Sequence, residues 1–234
     1  MATTEQLEDA VDSIFGTAFN VRDGQKIPAT EDVANNAAVK LDATFLYADL
    51  AGSSSIAKNC PWDTTAKIIR AYLSCSVRII KSYEGEIRSF DGDRVMGVFI
   101  GGSKNTNAVK AAHEIYWTTE NIIQKKAKDK FASVSNNNVK IRQACGIAKG
   151  ETRAVRAGIR NNNDLIWIGE PPSLAAKLSD IREYPHCTFI SSAVYNNMSD
   201  DVKSSNGTNM WESRTFTYAG ETKSLYRSSW WRKP

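Results

Sequence analysis

An α+β fold is what this sequence predicts, on three observations. Runs of alternating hydrophobicity and runs of helical period succeed one another in the order β-α-β-β-α-β, and further strand-like runs follow. Two turn signatures, Asp91-Gly92-Asp93 and Arg160-Asn161-Asn162-Asn163, each sit between paired strand-like runs. The length, 234 residues, suits one large core with a short appendage. Together these describe a ferredoxin-like sheet with additional strands and helices on one face.

The elements follow in order. Residues 1–40 read as a leader: an amphipathic helix on Leu7, Val11, Ile14 and Phe15, then a linker with Gly24, Pro28 and Asn35-Asn36, placed to pack on the domain or on a partner chain. Residues 41–234 read as the main domain. Leu41–Asp49 alternates as a central strand would, with Phe45, Tyr47 and Asp49 on one face and Leu46, Ala48 and Leu50 on the other. Asp63 is the expected cap of a helix whose stripe runs through Ile69, Leu73, Val77, Ile80 and Tyr83, and Gly85 stops it. Glu86–Phe90 and Arg94–Ile100 make a hairpin, and a second helix spans about Thr106 to Lys128 with a Lys-rich solvated end. Val139–Gly150 is a strand, Thr152–Ile159 and Asp164–Ile168 a hairpin, and a third helix begins near Pro172. A short strand at Thr188–Ile190, a short helix and a β-rich stretch ending at Ser228-Ser229-Trp230-Trp231 complete the chain.

Composition narrows the function classes. Thirty Lys+Arg against 26 Asp+Glu leave a formal net charge of +4, too small and dispersed for a nucleic-acid-coating surface but suited to a pocket for an anionic ligand. The start, Met1-Ala2-Thr3-Thr4-Glu5, is polar and acidic without a secretory pattern, and no run reaches the ~18 apolar residues of a membrane span. A cytoplasmic protein with neither nucleic-acid nor membrane partner is expected. Cys60, Cys75, Cys145 and Cys187 lie far apart with no CxxC pair, and His113 and His186 are close to none of them in any zinc-like spacing, so the cysteines read as ordinary thiols.

Two carboxylates carry the chemistry. Asp49 ends the first strand of the main domain and precedes Ala51-Gly52-Ser53-Ser54-Ser55, a small turn whose N–H groups can cradle phosphate. Asp93 sits at the turn of the neighbouring hairpin. In a ferredoxin-like sheet these ends come side by side, so Asp49 and Asp93 can share hard divalent cations whose shells are completed by water and substrate phosphates.

With those residues in place, the chain resembles the class III nucleotidyl cyclases. Three ordered segments carry the likeness across about residues 41–227: Phe45-Leu46-Tyr47-Ala48-Asp49-Leu50-Ala51-Gly52-Ser53-Ser54, Gly85 to Phe99 around Phe90-Asp91-Gly92-Asp93-Arg94, and Trp167-Ile168-Gly169-Glu170-Pro171-Pro172-Ser173-Leu174-Ala175-Ala176-Lys177-Leu178. The resemblance implies a homodimer with active sites at the interface, two Mg²⁺ or Mn²⁺ ions per site on Asp49, Asp93 and the Leu50 carbonyl, and transition-state residues from the partner chain. Those residues fall on Ser173 and Lys177 where the family has Asn and Arg; Lys177 keeps a positive charge without the bidentate fork, and Ser173 keeps a shorter donor. Taken alone, Lys177 reads as a solvated helix lysine.

The base-reading positions depart further. Purine-using members carry a Lys four residues before the second metal Asp and an Asp three residues before the Gly of the helix motif; here stand Ser89 and Ile166. Ile166 cannot bond adenine's exocyclic amine, which argues against ATP. Tyr47, roughly 7 Å along the strand from Asp49, either fills volume that a purine would take or is a core aromatic. Arg94 is either a donor-only fork suited to the carbonyl oxygens of uracil or a solvent-facing strand residue. The set Tyr47, Ser89, Arg94, Ser173 and Lys177 is similar to the pyrimidine cyclases of the bacterial Pycsar antiphage systems. That similarity implies UTP, or alternatively CTP, as substrate and a cyclic product acting on a separate effector. Lys223 is a further candidate for the terminal phosphates. A purine cyclase, a catalytically inactive nucleotide sensor and a palm-type polymerase are the competing readings; the last lacks a basic template channel.

Overall fold

The structure, a computed structural model, describes residues 2–234. In chain order, the elements begin with α1 (Thr4–Phe15), β1 (Asn20–Asp23), β2 (Ala37–Ala51), α2 (Ser53–Asn59), α3 (Trp62–Ser82), β3 (Glu86–Asp91) and β4 (Arg94–Phe99). Next come α4 (Lys104–Thr118), a π-helical segment (Thr119–Ile123), α5 (Gln124–Lys130), α6 (Ala132–Asn136), β5 (Arg142–Ile159) and β6 (Asn162–Ile168). The chain closes with α7 (Glu170–Ser179), β7 (Thr188–Ser191), α8 (Ser192–Asn197), a two-residue pair β8 (Ser204–Ser205) and β9 (Thr208–Asn209), and the hairpin β10 (Glu212–Tyr218) and β11 (Glu221–Ser228). None of the helices described is long and apolar enough to cross a membrane.

Contacts divide the chain into two compact units, residues 1–41 with 152–168, and residues 42–151 with 169–234. In the first, Thr3 caps α1 by accepting from the Gln6 N–H while the Gln6 side chain accepts from the Thr3 N–H. Leu7, Val11, Ile14 and Phe15 form the expected stripe, all exposed. The leader holds one element that the sequence does not predict: β1 pairs in parallel with the start of β2, Asn20 opposite Ala37 through Asp23 opposite Lys40. Asn-Val-Arg-Asp has no alternation to betray a strand and is exposed throughout, so its conformation comes from pairing. The end of β5 and β6 form the predicted hairpin, with Asn161 at the tip in the left-handed conformation.

In the larger unit the strands run in the order β10-β11-β7-β5-β2-β4-β3. Central β2 buries Phe45, Leu46, Ala48 and Leu50 completely or nearly so, as a strand covered on both faces requires. Helices α3 and α4 pack on each other and on β4. The buried row of α3 is Ile68, Tyr72, Ile79 and Ile80, with Ile69, Leu73 and Val77 only half-buried beside it. The two rows lie side by side on the helix, so helical period alone does not say which faces inward. Asp63 does not cap α3: Pro61 holds that position, and Asp63 pairs with Lys67 one turn on, at 2.7 Å. The long second helix of the sequence reading is α4 and α5 joined through the π-helical segment, and the separate strands expected at 139–150 and 152–159 are one strand of 18 residues, β5.

Helix α7 lies directly on β5. A Cβ built on Gly146 would come 2.1 Å from the Ala175 carbonyl oxygen and 2.3 Å from the Ser179 nitrogen. Backbone cannot yield as a side chain does, so Gly146→Ala should displace α7 and cost about 1–3 kcal/mol by overpacking; a urea midpoint equal to that of the parent would contradict this close approach. Buried His113 stacks on Trp211, and burial, helped by Arg232, pushes its pKa down to about 4. The unfolded chain therefore takes up a proton below about pH 6.5 that the folded chain refuses, and stability falls as pH drops from there toward 4. Unfolding at pH 7 and pH 4.5 should show a loss of about 2 kcal/mol assignable to this residue, absent in His113→Gln.

Candidate active site

The site grows from the ends of two paired strands. Tyr47 lies opposite Met96 and Asp49 opposite Arg94 in the β2–β4 ladder, and the Leu50 N–H donates to the Asp93 carbonyl at 3.4 Å. Strand alternation puts Tyr47 and Asp49 on one face, and cross-strand pairing puts Arg94 on that same face. The β3–β4 turn brings Asp93 beside them, with Gly92 in the left-handed conformation that such a turn needs. Four residues separated by up to 47 positions thus meet because one hairpin pairs with one central strand.

Asp49 is 8% exposed. Burial raises its carboxyl above the usual range, the Asp93 charge raises it further, and the Arg182 and Arg94 guanidinium groups pull the other way without fully compensating. Arg182 forms an ion pair with the Asp49 carboxylate and also donates to the Ser179 carbonyl at 2.5 Å and the Ile181 carbonyl at 3.2 Å. Arg94 is held as well: its guanidinium reaches Asp180 at 3.1 Å and Asp91 at 3.0 Å and lies 5.6 Å from the centre of the Tyr47 ring. Burial raises the Tyr47 phenol, which keeps it neutral. Tyr47 and Arg94, singled out separately in the sequence, are therefore one cation–π pair.

Beside Asp49 opens a cavity of about 260 Å³, lined by Ala51, Gly52 and Ser55 and by Lys140, Arg142, Arg182 and His186, with one acidic residue, Glu183, which pairs with Arg214 and Arg227. Gly52 is left-handed and starts α2, where Ser53 and Ser54 form the first turn. A small turn facing several basic side chains suits a polyphosphate.

Among the remaining predicted residues, Ser89 stands in the same cross-strand row as Tyr47, and the others belong to other elements. Ser173 and Lys177 share the exposed stripe of α7 with Asp180. The Ser173 hydroxyl lies 2.5 Å from the Tyr218 hydroxyl, and Lys177 has no ion pair among the described residues. Lys223 is engaged by Glu170 and Glu221, each at 3.0 Å. Ser89 is half-buried on β3 opposite Met96. Ile166, on β6, belongs to the smaller unit and is 45% exposed. Sequence reasoning assigns no site role to Arg182, Asp180, Arg142, Lys140 or His186. Asp180 follows Lys177 at helical spacing and was there to be found, whereas residues 181–187 have neither period nor motif.

No protein-family profile matches the sequence. A curated relative from Rhodovulum sp. (strain MB263), named uridylate cyclase, is 41% identical over 100% of this chain and 99% of its own length. A second uridylate cyclase, from Xanthomonas perforans, is 35% identical over 99% of each. The chain belongs to the uridylate cyclase family. Its fold is that of the class III cyclases: the adenylyl cyclase CyaB from P. aeruginosa superposes with a TM-score of 0.67 at 19% identity, covering 82% of this chain and 95% of that one. The dimeric guanylyl cyclase domain of the RhoGC fusion protein from Blastocladiella emersonii does so at 0.59 and 13%, covering 81% and 97%.

The donor set fits a hard divalent ion. Asp49 and Asp93 offer carboxylate oxygens, and Asp49 keeps a raised carboxyl, from burial first, despite Arg182. Two carboxylates with shells finished by carbonyl, water and phosphate oxygens are what Mg²⁺ accepts. Arg182 is the residue that a cation must share Asp49 with. Arg182→Gln should therefore move the Asp49 titration, followed by the carboxyl ¹³C shift in NMR, to higher pH; an unchanged titration would show that the guanidinium does not hold this carboxylate.

Proposed function

We propose that the protein is a uridylate cyclase, converting UTP to 3′,5′-cyclic UMP and pyrophosphate. The observation that carries this reading is full-length similarity to uridylate cyclases in a chain that brings Asp49 and Asp93 together beside the Tyr47–Arg94 pair. The ribose 3′-oxygen forms a bond to the α-phosphorus as the bond to the bridging oxygen breaks, and the hydroxyl proton is lost. Asp49, Asp93 and the Leu50 carbonyl would hold two Mg²⁺ or Mn²⁺ ions, which supply Lewis acidity at the 3′-hydroxyl and charge neutralisation on pyrophosphate.

The chain's own residues do the rest. Gly52, Ser53, Ser54 and the basic wall of the adjoining cavity receive the phosphates, with Lys223 as a further contact once free of Glu170. Tyr47 limits the volume for the base, and Arg94 donates to uracil oxygens. The exposed positions of Ser173 and Lys177 on α7 support a role across a homodimer interface, where Lys177 stabilises the charge developing on the α-phosphate. Ile166 offers no polar atom to adenine's amine, and Ser89 has only a short hydroxyl where purine-using members have a Lys. Similarity to the Pycsar pyrimidine cyclases supports a cytoplasmic enzyme of antiphage defence whose product acts on a separate effector. One observation favours CTP as the second reading: Asp180 sits at the Arg94 fork, and a carboxylate there accepts from the amino group of cytosine.

Incubation with each of the four nucleoside triphosphates and Mn²⁺, with products separated by chromatography, should give cyclic UMP as the chief product. Cyclic AMP or cyclic GMP as the chief product would overturn the reading, and cyclic CMP would move it to the second. Tyr47→Ala should admit purines, raising ATP or GTP turnover relative to UTP, and Asp93→Asn should abolish turnover with the fold intact by circular dichroism.

A further inference from the structure

We infer that the cavity between α3 and α5 is a binding site for an anionic amphiphile, an acyl chain ending in a carboxylate. It is separate from the site built on Asp49. The cavity has a volume of about 330 Å³, within the ~300–1,000 Å³ typical of ligand sites. Its floor is apolar: Ile68, Ala71 and Cys75 from α3, Ile122 and Ile123 from the π-helical segment, and Ala127 and Phe131. At its edge stand Lys67, Lys126 and Lys130, and no acidic side chain lines it.

Lys67 is already paired with Asp63 at 2.7 Å and lies 5.9 Å from the Phe131 ring centre. Lys126 and Lys130 have no ion pair among the described residues. Lys126 and Lys130 are exposed and carry no ion pair, so an occupant with one anionic end gains charge pairing at this edge that a wholly apolar one does not, while a nucleotide would leave the floor unmatched. The wall supplies an independent indication. π-helical turns are rare and frequently sit at functional sites, and this one delivers Ile122 and Ile123 to the cavity.

Cys75 gives the test its readout, because it is half-buried in this cavity while Cys60, Cys145 and Cys187 are buried. The full chain is titrated with dodecanoate below its micelle-forming concentration, by calorimetry and by the rate at which a neutral disulfide reagent modifies Cys75; Cys75→Ser identifies the reactive thiol. Saturable binding to one site, a severalfold slowing of Cys75 modification at saturation and binding weakened about tenfold in the double variant Lys126→Gln/Lys130→Gln are expected. Dodecanol should bind more weakly than dodecanoate. Absence of saturable binding, binding that leaves Cys75 unprotected, or binding indifferent to the two lysines would overturn the inference. So would Cys75 protection that rises with protein concentration alone, which would point to a second copy of the chain filling the cavity.

Discussion

Burying the Asp49 carboxylate at the end of a central strand, next to a second carboxylate, is the constraint on which this architecture turns. Water would stabilise that charge, and the position denies it water. Something cationic must come to it. In the protein alone Arg182 does so, arriving from the segment that follows α7, and a divalent ion fits the same oxygens. The need for a cation is therefore built into the fold, since Asp49 is placed by the β2–β4 ladder and Asp93 by the turn that begins β4.

A second ion pair crosses the first. Arg94, opposite Asp49 in the ladder, is held by Asp180, two residues before Arg182. The stretch from 180 to 182 thus offers an acid to the strand's arginine and an arginine to the strand's acid. Because Asp180 caps α7, and α7 rests on β5 with no room for a Cβ at Gly146, the helix bearing Ser173 and Lys177 is fixed to the strand end bearing Asp49. On the proposed reading, those two helix residues act in the other protomer's site. The crossed pairs would then keep the two half-sites of one chain in a set relation, which a symmetric dimer needs if both are to be complete at once.

How much of this was legible follows from where each residue takes its conformation. Asp49, Asp93, Tyr47 and Arg94 lie on two elements with strong local signals, an alternating strand and an Asp-Gly-Asp hairpin, and their meeting follows from pairing those elements. The order of elements was equally readable, because strands and helices here carry clean periods. The basic wall of the cavity was not: Arg142 begins a strand and Arg182 lies in irregular chain, so what brings them together is tertiary packing alone. For the same reason β1 escaped notice, since a four-residue polar strand is made by its partner. The α3 stripe shows the limit of period counting, which finds an apolar side but not which of two adjacent rows faces inward. Arg94, read either as a donor-only fork or as a solvent-facing strand residue, is held by Asp91 and Asp180, and this bears directly on the choice between uracil and cytosine.

The central claim is that one chain contributes two different half-sites, metal-binding carboxylates and a transition-state helix, to two composite sites. Subunit mixing tests it most directly. Asp93→Asn and Lys177→Ala variants, each inactive alone, are combined, allowed to exchange subunits and assayed for UTP cyclisation. The account predicts recovery to about a quarter of wild-type activity, because statistical mixing makes half the dimers mixed and leaves each of those one intact site in two. A mixture as inactive as its parents, under conditions where subunit exchange is demonstrated, would contradict it.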